Sequence, residues 1–511
     1  MSVYDDINDP PRGGAWPMWR RFLLGSAIIV FLTAATVSTT LLLEVGTLAG
    51  EFTGARGENG VLDDGTDKEI DADEAGQPQT IMLLGSDRRV ADKKEGVRGN
   101  SDTIILLRLD PDNDATTVMS LPRDLAVDIP GHGRDKINQA YALGGPKLVL
   151  KTVKSLLSTP SERFKINHVI NVNFRGFRRA VDYVGCVYAD IDRRYFNDNS
   201  QGGERFATID IQPGYQRLCG EDALDYVRFR HYDNDLVRAA RQQDFLRQAK
   251  AQIGAKQLFD RREKLAKLAG AYTQTDRSLR DTQSILRLLK LAAFQTGKPV
   301  REVKFPAILS ENPKQTNLSY SRAKLEKAVK QFMEGKSTSG PKGKLASTPQ
   351  ERRESRQRRK RRSSLTSGLE RATKEGEDQA ILAAGRINYP ALYPRLRRSS
   401  AVYVDKPRVY NVRDLDGNKH RAYRMVVKLG PIGEYYGIQG LNWKDPPIVD
   451  KPDARKVVNG RTLELFYDGS RLRMVAYRKG DNVYWVTNTL LRTLTNDQML
   501  GIASSLAQAG R

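Results

Sequence analysis

Hydrophobic and polar positions fall into blocks between residues 81 and 124, and the rest of the chain is organised around this stretch. Three short runs rich in Ile, Leu and Val lie at 81–84, 103–109 and 117–121. Apolar runs of this length predict buried β-strands. If the three strands are neighbours, the polar groups at their ends meet at one edge of a sheet.

Charged residues stand at the ends of these runs. Acidic side chains can hold a hard divalent cation, and arginines can bind phosphate oxygens through paired N–H groups. The arrangement therefore indicates a phosphorylated substrate, while a set of surface ion pairs is the plainer alternative. The residues are Asp87 and Arg89 after the first run, Asp102 before the second, and Arg123 and Asp124 after the third.

Beyond residue 124 the pattern alternates between strand-like and helix-like segments, which predicts an α/β fold with a central mixed β-sheet sandwiched by helices. Strand character is found at 126–130, 168–174 and 186–191, and a turn is expected at 131–136. Helical spacing is found at 137–158, interrupted by Gly144 and Gly145, and at 175–184, 220–231, 234–253 and 321–334. Residues 255–300 are expected to be amphipathic helices, and 300–309 an edge strand.

A cluster of arginines surrounds the turn between the helices at 220–231 and 234–253. Asp235, Arg238 and Gln242 lie at positions i, i+3 and i+7, so they share one helix face. Arg228 and Arg230 end the preceding helix. Solvated helix charge is the ordinary interpretation, and an anion-binding cluster is the functional one.

The N-terminal region predicts a membrane anchor. Residues 22–43 contain no charged side chain, and 22 residues in a helix span roughly 33 Å, enough to cross the hydrocarbon core. Arginines at 12, 20 and 21 precede this segment, which favours a cytoplasmic tail at 1–21 and an extracytoplasmic body. A cleaved signal peptide is the alternative. Residues 44–78 are rich in Gly and acids and predict a flexible linker.

The C-terminal half predicts a second, smaller domain. The globular body is expected at 79–336, followed by a disordered basic linker at 337–398, in which residues 352–362 contain eight basic side chains. The region 399–511 predicts an α+β domain, because strand-like runs are joined by Asp-Gly at 468–469 and Gly-Asp at 480–481, and a helix-like segment follows. Its aromatic residues are interpreted as core, and we assign it no catalytic role.

The formal net charge is +23, which suits an anionic partner such as a nucleic acid, a membrane surface or a phosphate-rich polymer. The basic run is therefore either a binding segment or a solubilising spacer. The two cysteines, Cys186 and Cys219, are expected to pair if the body is exported and to remain buried thiols if it is cytoplasmic. The sequence contains no Cys-x-x-Cys motif, and its four histidines are not spaced like zinc ligands, so a zinc site is not expected.

Seven motifs occur in a fixed order, and together they resemble the LytR-CpsA-Psr family of bacterial cell-envelope proteins. They are LLGSDRR, NSDTIILLRLDP, SLPRD, KINQAYALGG, INVNFRGFRRAVDYVGCV, GEDALDYVRFR and DLVRAARQQDFL. The resemblance covers roughly residues 79–255. It implies a Mg²⁺-dependent transferase that moves a glycopolymer from a polyprenyl-pyrophosphate carrier onto peptidoglycan through a phosphodiester bond, at the cytoplasmic membrane.

The resemblance also implies roles for individual residues. Asp87 and Asp102 would hold the metal, and Asp235 would join the polar rim; any of these three carboxylates is a candidate base, and the sequence does not rank them. The lipid tail would occupy an apolar tunnel between sheet and helices. The implied catalytic residues are Asp87, Arg89, Asp102, Arg123 and Asp235. The implied pyrophosphate-binding residues are Arg89, Arg98, Arg123, Arg228, Arg230, Arg238 and Gln242.

One position departs from the family pattern. Asn100 stands where an arginine commonly precedes Ser-Asp-Thr, and Arg98 lies two positions earlier. This departure keeps two alternatives open: a non-catalytic protein that binds polyprenyl pyrophosphate or wall polymer, and a hydrolase that releases the sugar phosphate to water. We expect no nucleic-acid partner, because no helix-turn-helix is apparent and the anchor would place the basic run outside the cell.

Overall fold

The computed structural model describes the chain in several ranges. These are residues 62, 65–72, 77–86, 101–112, 116–160, 162–200, 207–229, 235–252, 273–280, 288, 291, 300–308, 317–335, 365–429 and 434–510. The side chains of Asp102 and Asp235 are not described. Among the described residues, no helix is both long and apolar enough to cross a lipid bilayer.

Several sequence-based expectations lie outside these ranges and stay predictions. They concern the anchor at 22–43, most of the linker at 44–78, the basic run at 352–362, most of the helices at 255–300, and Asp87, Arg89, Arg98 and Arg230.

The first unit contains short strands and long helices in alternation. Its strands are β1 Gln79–Ser86, β2 Ser101–Leu109, β3 Thr116–Leu121, β4 Ala126–Ile129, β5 Gly133–Lys136, β6 His168–Asn173, β7 Val187–Ile191, β8 Tyr195–Asn197, β9 Ile209–Ile211, β10 Gly214–Leu218, β11 Thr273–Thr275, β12 Val300–Glu302, β13 Ala307–Ile308 and β14 Ser319–Tyr320. Its helices are α1 Gln139–Leu157, α2 Phe174–Tyr183, α3 Gly220–Arg228, α4 Asp235–Gln252 and α5 Arg322–Glu334.

The central sheet has six strands in the order β11, β6, β1, β2, β3, β12. β1 pairs antiparallel with β2 and parallel with β6, and β3 pairs antiparallel with β2 and parallel with β12. The sheet is therefore mixed, and the three apolar runs from the sequence are neighbours as predicted. β12 lies at an edge, and the turn expected at 131–136 contains β5, which pairs with β4.

Alternate residues of β1 face opposite sides of this sheet. Met82 and Leu84 belong to the main core, where Val149 and Val153 of α1 also pack. Ile81 instead lies in a separate apolar cluster on the other face. Gly144 and Gly145 of α1 have non-helical backbone angles, which is the interruption that the sequence predicts.

The C-terminal unit is a seven-stranded antiparallel sheet with helices beside it. The sheet order is β18 Val402–Arg413, β19 Lys419–Leu429, β20 Glu434–Leu441, β24 Asn482–Thr487, β23 Arg471–Lys479, β22 Arg461–Asp468 and β21 Ala454–Val458. The other elements are β15 Leu369–Arg371, α6 Thr373–Ala384, β16 Leu392–Pro394, β17 Leu396–Arg398, α7 Asn496–Ser504 and β25 Leu506–Gln508. The predicted meander is present as β22, β23 and β24.

The linker predicted at 337–398 differs from the structure, which has regular elements from Leu369 onward. Helix α6 buries Gly376, Ala380 and Ala383 rather than large side chains. Tyr393 approaches closely at Gly376, where a Cβ would lie 2.8 Å from the ring. A helix that packs through small residues has little apolar periodicity, which explains why the sequence did not predict α6. The start of the C-terminal domain predicted at 399 is therefore too late.

The two units share a buried junction. Tyr188 of β7 and Tyr215 of β10 belong to the same apolar cluster as Phe466 and Trp485 of the C-terminal sheet. The Arg424 guanidinium lies 2.9 Å from Asp190 Oδ1, and the Trp485 indole donates to Asp190 Oδ2 at 2.5 Å. Because burial of a charge is costly unless it is paired, these contacts fix the two units against each other.

Candidate functional site

An apolar cavity of about 150 Å³ lies between the central sheet and helices α2, α3 and α4; we call it the sheet cavity. The strands contribute apolar residues from one face, including Leu83 and Ile105. The helices contribute Phe177, Leu224 and Phe245. On β1 and β2, Leu83 and Ile105 alternate with neighbours that belong to the main core. The two-residue period of the strands therefore produces one apolar wall of the cavity.

Gly85 lies at the sheet end of this cavity. A Cβ at this position would lie 3.0 Å from the Thr103 Cβ, so a larger residue would require Thr103 to shift by a few tenths of an ångström. Register is also irregular here, because Gly85 pairs with Thr103 and Ser86 pairs with Ser101. The backbone of Asp102 therefore lies in this irregularity, and Asp87 follows Ser86 directly in the sequence.

Arg228 is one of two arginines in the cavity lining. Its Nε and Nη2 both donate to Asp225 Oδ1, at 3.0 and 2.7 Å, and its guanidinium lies 5.6 Å from the centre of the Phe174 ring. Burial raises the pKa of Asp225, although Arg228 opposes that shift. Asp225 thus orients the guanidinium at the end of α3.

Arg238 and Gln242 come from α4 and also line the cavity. Arg238 is 4% exposed. The Gln242 amide donates to Thr103 Oγ1 and to the Val227 carbonyl, each at 3.1 Å. One side chain therefore ties α4 to strand β2 and to helix α3. The shared helix face predicted for these two residues is present.

Arg123 lies at the same end of the sheet but does not belong to the lining of the sheet cavity. The register pairs Ile104 of β2 with Leu121 of β3, and the two strands are antiparallel. Asp102, two residues before Ile104, and Arg123, two residues after Leu121, therefore lie at the same end of the sheet. Arg123 is 8% exposed, and its Nε lies 3.6 Å from Asp124. The backbone thus brings two of the predicted charged positions, Asp102 and Arg123, to one sheet end, whereas Asp87 and Arg89 lie outside the described residues.

The disulfide between Cys186 and Cys219 is present, as expected for an exported body. It joins the residue before β7 to the N-cap residue of α3. Helix α3 is the element that ends in Arg228, so the bond holds this helix against the β7–β10 pair.

Two residues that support the site, Asp225 and Thr103, are not among the site residues predicted from the sequence. Asp225 precedes Arg228 by three positions on a helix, which is ion-pair spacing and could have been recognised. Thr103 gave no such signal, because its contact with Gln242 spans 139 residues. Arg241, close in sequence to the cluster, is instead fully buried and donates to the Phe229 carbonyl at 2.5 Å.

Comparisons with known proteins place these observations in a family. The LytR_cpsA_psr family model matches residues 48–336. The polyisoprenyl-teichoic acid–peptidoglycan teichoic acid transferase TagU of Oceanobacillus iheyensis is 33% identical over 214 residues, which cover 40% of this chain and 61% of that protein. TagU of Bacillus anthracis is 37% identical over 173 residues, which cover 33% of this chain and 51% of that protein.

The chain thus spans between about half and three-fifths of the length of these curated relatives. The crystal structure of B. subtilis TagV is 24% identical and has a TM-score of 0.40, with 51% of this chain and 98% of that chain covered. The matched family region is more than half of the 511 residues and contains the whole sheet cavity. The chain is a member of the LytR_cpsA_psr family.

Proposed function

We propose that this protein is an extracytoplasmic phosphotransferase that moves a glycopolymer from a polyprenyl-pyrophosphate carrier onto peptidoglycan. The observation that carries the proposal is the sheet cavity, which combines an apolar interior with Arg228, Arg238 and Gln242 in one lining. An apolar cavity suits a polyprenyl chain, and guanidinium groups suit a pyrophosphate. The transferase names of the TagU relatives support the same reaction class.

In the proposed reaction, an acceptor hydroxyl oxygen attacks the phosphorus that carries the sugar. A new phosphodiester bond forms, the pyrophosphate P–O bond breaks, and polyprenyl phosphate leaves with the bonding electron pair. The hydroxyl proton passes to a base, for which Asp87, Asp102 and Asp235 are the proposed candidates. Arginines stay protonated at neutral pH, so their role is to bind and orient phosphate oxygens, not to accept the proton.

Arg238 and Arg228 are proposed to hold the pyrophosphate, with Arg123 and the predicted Arg89, Arg98 and Arg230 as further ligands. The Asp225 contact fixes the direction of the Arg228 guanidinium before substrate arrives. A preorganised cation stabilises charge that develops on the leaving phosphate without reorganisation during the reaction. Gln242 is proposed to keep α3, α4 and β2 at a constant spacing through its two hydrogen bonds.

Asp87 and Asp102 are proposed to hold Mg²⁺. Carboxylate oxygens are donors that this ion prefers, and the β1–β2 register brings the Asp102 backbone beside the residue that precedes Asp87. A bound Mg²⁺ would supply Lewis-acid stabilisation of phosphate charge. We further propose that residues 22–43 anchor the chain as a single-pass helix with the N-terminus in the cytoplasm.

The test uses the full chain in detergent or lipid nanodiscs. The substrate is a synthetic polyprenyl-pyrophosphate carrier with a radiolabelled sugar, and the acceptor is purified peptidoglycan. We expect label to become attached to peptidoglycan in the presence of Mg²⁺, and this attachment to fall strongly with EDTA.

Two outcomes would contradict the proposal. Release of free sugar phosphate without attachment would show a hydrolase, and binding of the carrier without any turnover would show a non-catalytic binding protein. Attachment that is unchanged by EDTA would remove Mg²⁺ from the mechanism while leaving the transfer in place.

A further inference from the structure

A second cavity, of about 370 Å³, lies where the two units meet; we call it the junction cavity. Its first wall is the segment from Arg301 to Lys304 together with the end of α5 at Gly335. Its second wall is the β22–β23 turn, with Asp468 and Arg471, and the loop at Arg492. The volume falls within the range of small-molecule sites, about 300–1,000 Å³.

The carboxylates at this cavity are already paired. Arg247 Nη2 lies 3.1 Å from both Glu302 and Asp468, and Arg492 lies 3.4 Å from Asp468 and 2.9 Å from Asp244. Burial and the nearby Asp468 raise the pKa of Glu302 to about 7, so this group is partly neutral at physiological pH. Three acids and two arginines therefore come close to charge balance among themselves.

Three further cations line the same cavity. One of them, Lys304, also interacts electrostatically with Glu302 and Asp468 of this network. Arg301 Nη1 donates to the Gly335 carbonyl and Lys304 Nζ to the Leu491 carbonyl, each at 2.6 Å, so both are held by neutral acceptors. Arg471 extends from the β22–β23 turn and is exposed. None of these three side chains lies within ion-pair distance of a carboxylate of any residue that the structure describes.

Arg473 of β23 does not line the cavity but interacts electrostatically with the same ion network. Desolvation, together with the neighbouring Arg247 and Arg492, lowers its pKa to about 10, although Asp244 opposes the shift. Cations gathered without matching carboxylates repel one another, and an anion bound among them would relieve that repulsion. The junction cavity therefore has the charge and the space for an anionic ligand.

We infer that the junction cavity binds a phosphate group, contacted by Arg301, Lys304 and Arg471. Two guanidinium groups and one ammonium, two of them from the segment Arg301–Lys304 and one from the β22–β23 turn on the other wall, match the several oxygens of a phosphate. The cavity is larger than one ion requires, so the phosphate can belong either to free phosphate or to a phosphodiester polymer. This inference does not depend on the transfer reaction, because none of the three residues lines the sheet cavity.

The test is calorimetric titration of the full chain with two probes, inorganic phosphate and a short poly(glycerol phosphate). The cavity variant is Arg301→Ala/Lys304→Ala. The matched control is Lys444→Ala/Lys456→Ala, which removes two exposed positive charges outside the cavity. We expect the cavity variant to bind at least about tenfold more weakly, since charge-assisted hydrogen bonds contribute roughly that much each, and the control to bind as wild type.

The two probes distinguish the source of the phosphate. Binding of the polymer alone would identify a polymer ligand, and comparable binding of both would identify phosphate itself. Failure of the wild type to bind either probe, or equal loss in the cavity variant and the control, would overturn the inference. If the double variant does not fold, Arg471→Ala replaces it, because this side chain is exposed on a turn.

A further variant separates this inference from the proposed transfer. Arg238→Ala alters the sheet cavity only, so it is expected to leave phosphate binding at the junction unchanged. Loss of phosphate binding in Arg238→Ala would mean that the titration reports the sheet cavity.

Discussion

The two cavities lie on opposite sides of one helix and differ in almost every property. Arg238, Gln242 and Phe245 of α4 face the sheet cavity, whereas Asp244 and Arg247 join the ion network of the junction cavity. At about 100° per residue, these two sets occupy roughly opposite faces of the helix. The sheet cavity is apolar with a few polar groups, and the junction cavity is lined mainly by charged and polar groups.

This difference shows how one helix can serve two environments. On the sheet side, apolar surface supplies the volume and two arginines supply the charge. On the junction side, Asp244 and Arg247 replace an apolar face, and they require Asp468 and Arg492 from the C-terminal unit to be compensated. The sheet cavity lies within the family-matched region, whereas the junction cavity exists only because the C-terminal unit packs there.

The largest expected effect comes from breaking the contact between the units. Arg424→Met leaves Asp190 buried without its cation, and burial already raises the pKa of this acid. Loss of one partner of a buried pair costs about 3–5 kcal/mol, so we expect a clear fall in the thermal unfolding temperature. Differential scanning calorimetry measures it, with Arg455→Met on the exposed edge strand as control. The double variant Asp190→Asn/Arg424→Met should recover part of the loss, and an unchanged single variant would show that the charge pair does not hold the units together.

Arg238→Ala sharpens the role of the sheet cavity. Removal of a buried guanidinium that is proposed to orient phosphate is expected to reduce the proposed transfer about 100-fold or more, because such electrostatic contacts typically contribute that much to turnover. Transfer of labelled sugar to peptidoglycan measures it. Arg277→Ala is the control, since this arginine pairs with Asp67 at the surface and its side chain is 71% exposed. Equal activity of the two variants would remove Arg238 from the mechanism.

Leu246→Glu tests whether the sheet cavity needs its apolar surface. Leu246 is half-buried and lines the cavity, so a carboxylate there would oppose both the lipid chain and the pyrophosphate that are proposed to bind in it. We expect affinity for a polyprenyl pyrophosphate to fall about tenfold or more, since burial of a leucine side chain is worth about 1.5–3 kcal/mol. Fluorescence titration with a labelled carrier measures it. The control is Leu415→Glu, at a side chain that is 72% exposed, and tight binding by Leu246→Glu would exclude this wall from the lipid site.

The most gradual expected effect is a pH dependence at the junction. The folded protein raises the pKa of Glu302 from 4.5 to about 7, so between these values it binds more protons than the unfolded chain, and stability falls as pH rises to about 7. The pKa of Asp468 is lowered to about 2, so its contribution stays constant above about pH 4. Because one pKa unit corresponds to about 1.4 kcal/mol, the free energy of unfolding should be roughly 2 kcal/mol larger at pH 5 than at pH 8 from this group, as measured by denaturant unfolding. Glu302→Gln should reduce the difference, and an unchanged difference would assign it elsewhere.

The sequence predicted the sheet side of this comparison well. Five of the six strands of the central sheet, the helix break at Gly144 and Gly145, and the common face of Arg238 and Gln242 follow from local period and turn chemistry. The sixth, β11, was wrongly expected to be helical, because its three residues lie within the 255–300 stretch of amphipathic pattern. The pairing of Cys186 with Cys219 follows from the expected compartment. The helix break and the shared helix face depend on residues that are close in sequence, the order of β1, β2 and β3 depends on pairing of successive strands, and the disulfide depends on cysteine oxidation in an exported protein.

The junction side could not be predicted in the same way. Asp190 and Trp485 are separated by 295 residues, and nothing in either local sequence indicates the other. Arg247 and Asp468, 221 residues apart, would each be interpreted as surface charge on its own. Helix α6 was missed because it packs through small residues. Long-range charge pairing leaves no periodic pattern, so only coordinates place these groups together.

The Cys186–Cys219 bond has a mechanical consequence. Tyr188, Asp190 and Tyr215, on which the C-terminal unit rests, all lie inside the covalent ring that this bond closes. When tension is applied to the two chain ends, the load passes across the bond and bypasses the ring. The bond spans 33 residues, so the stretched chain would be about 110 Å shorter than a fully extended one until the disulfide is reduced. In an oxidising environment, the segment between Cys186 and Cys219, which contacts the C-terminal unit, is therefore a part of the chain that tension on the two chain ends cannot extend.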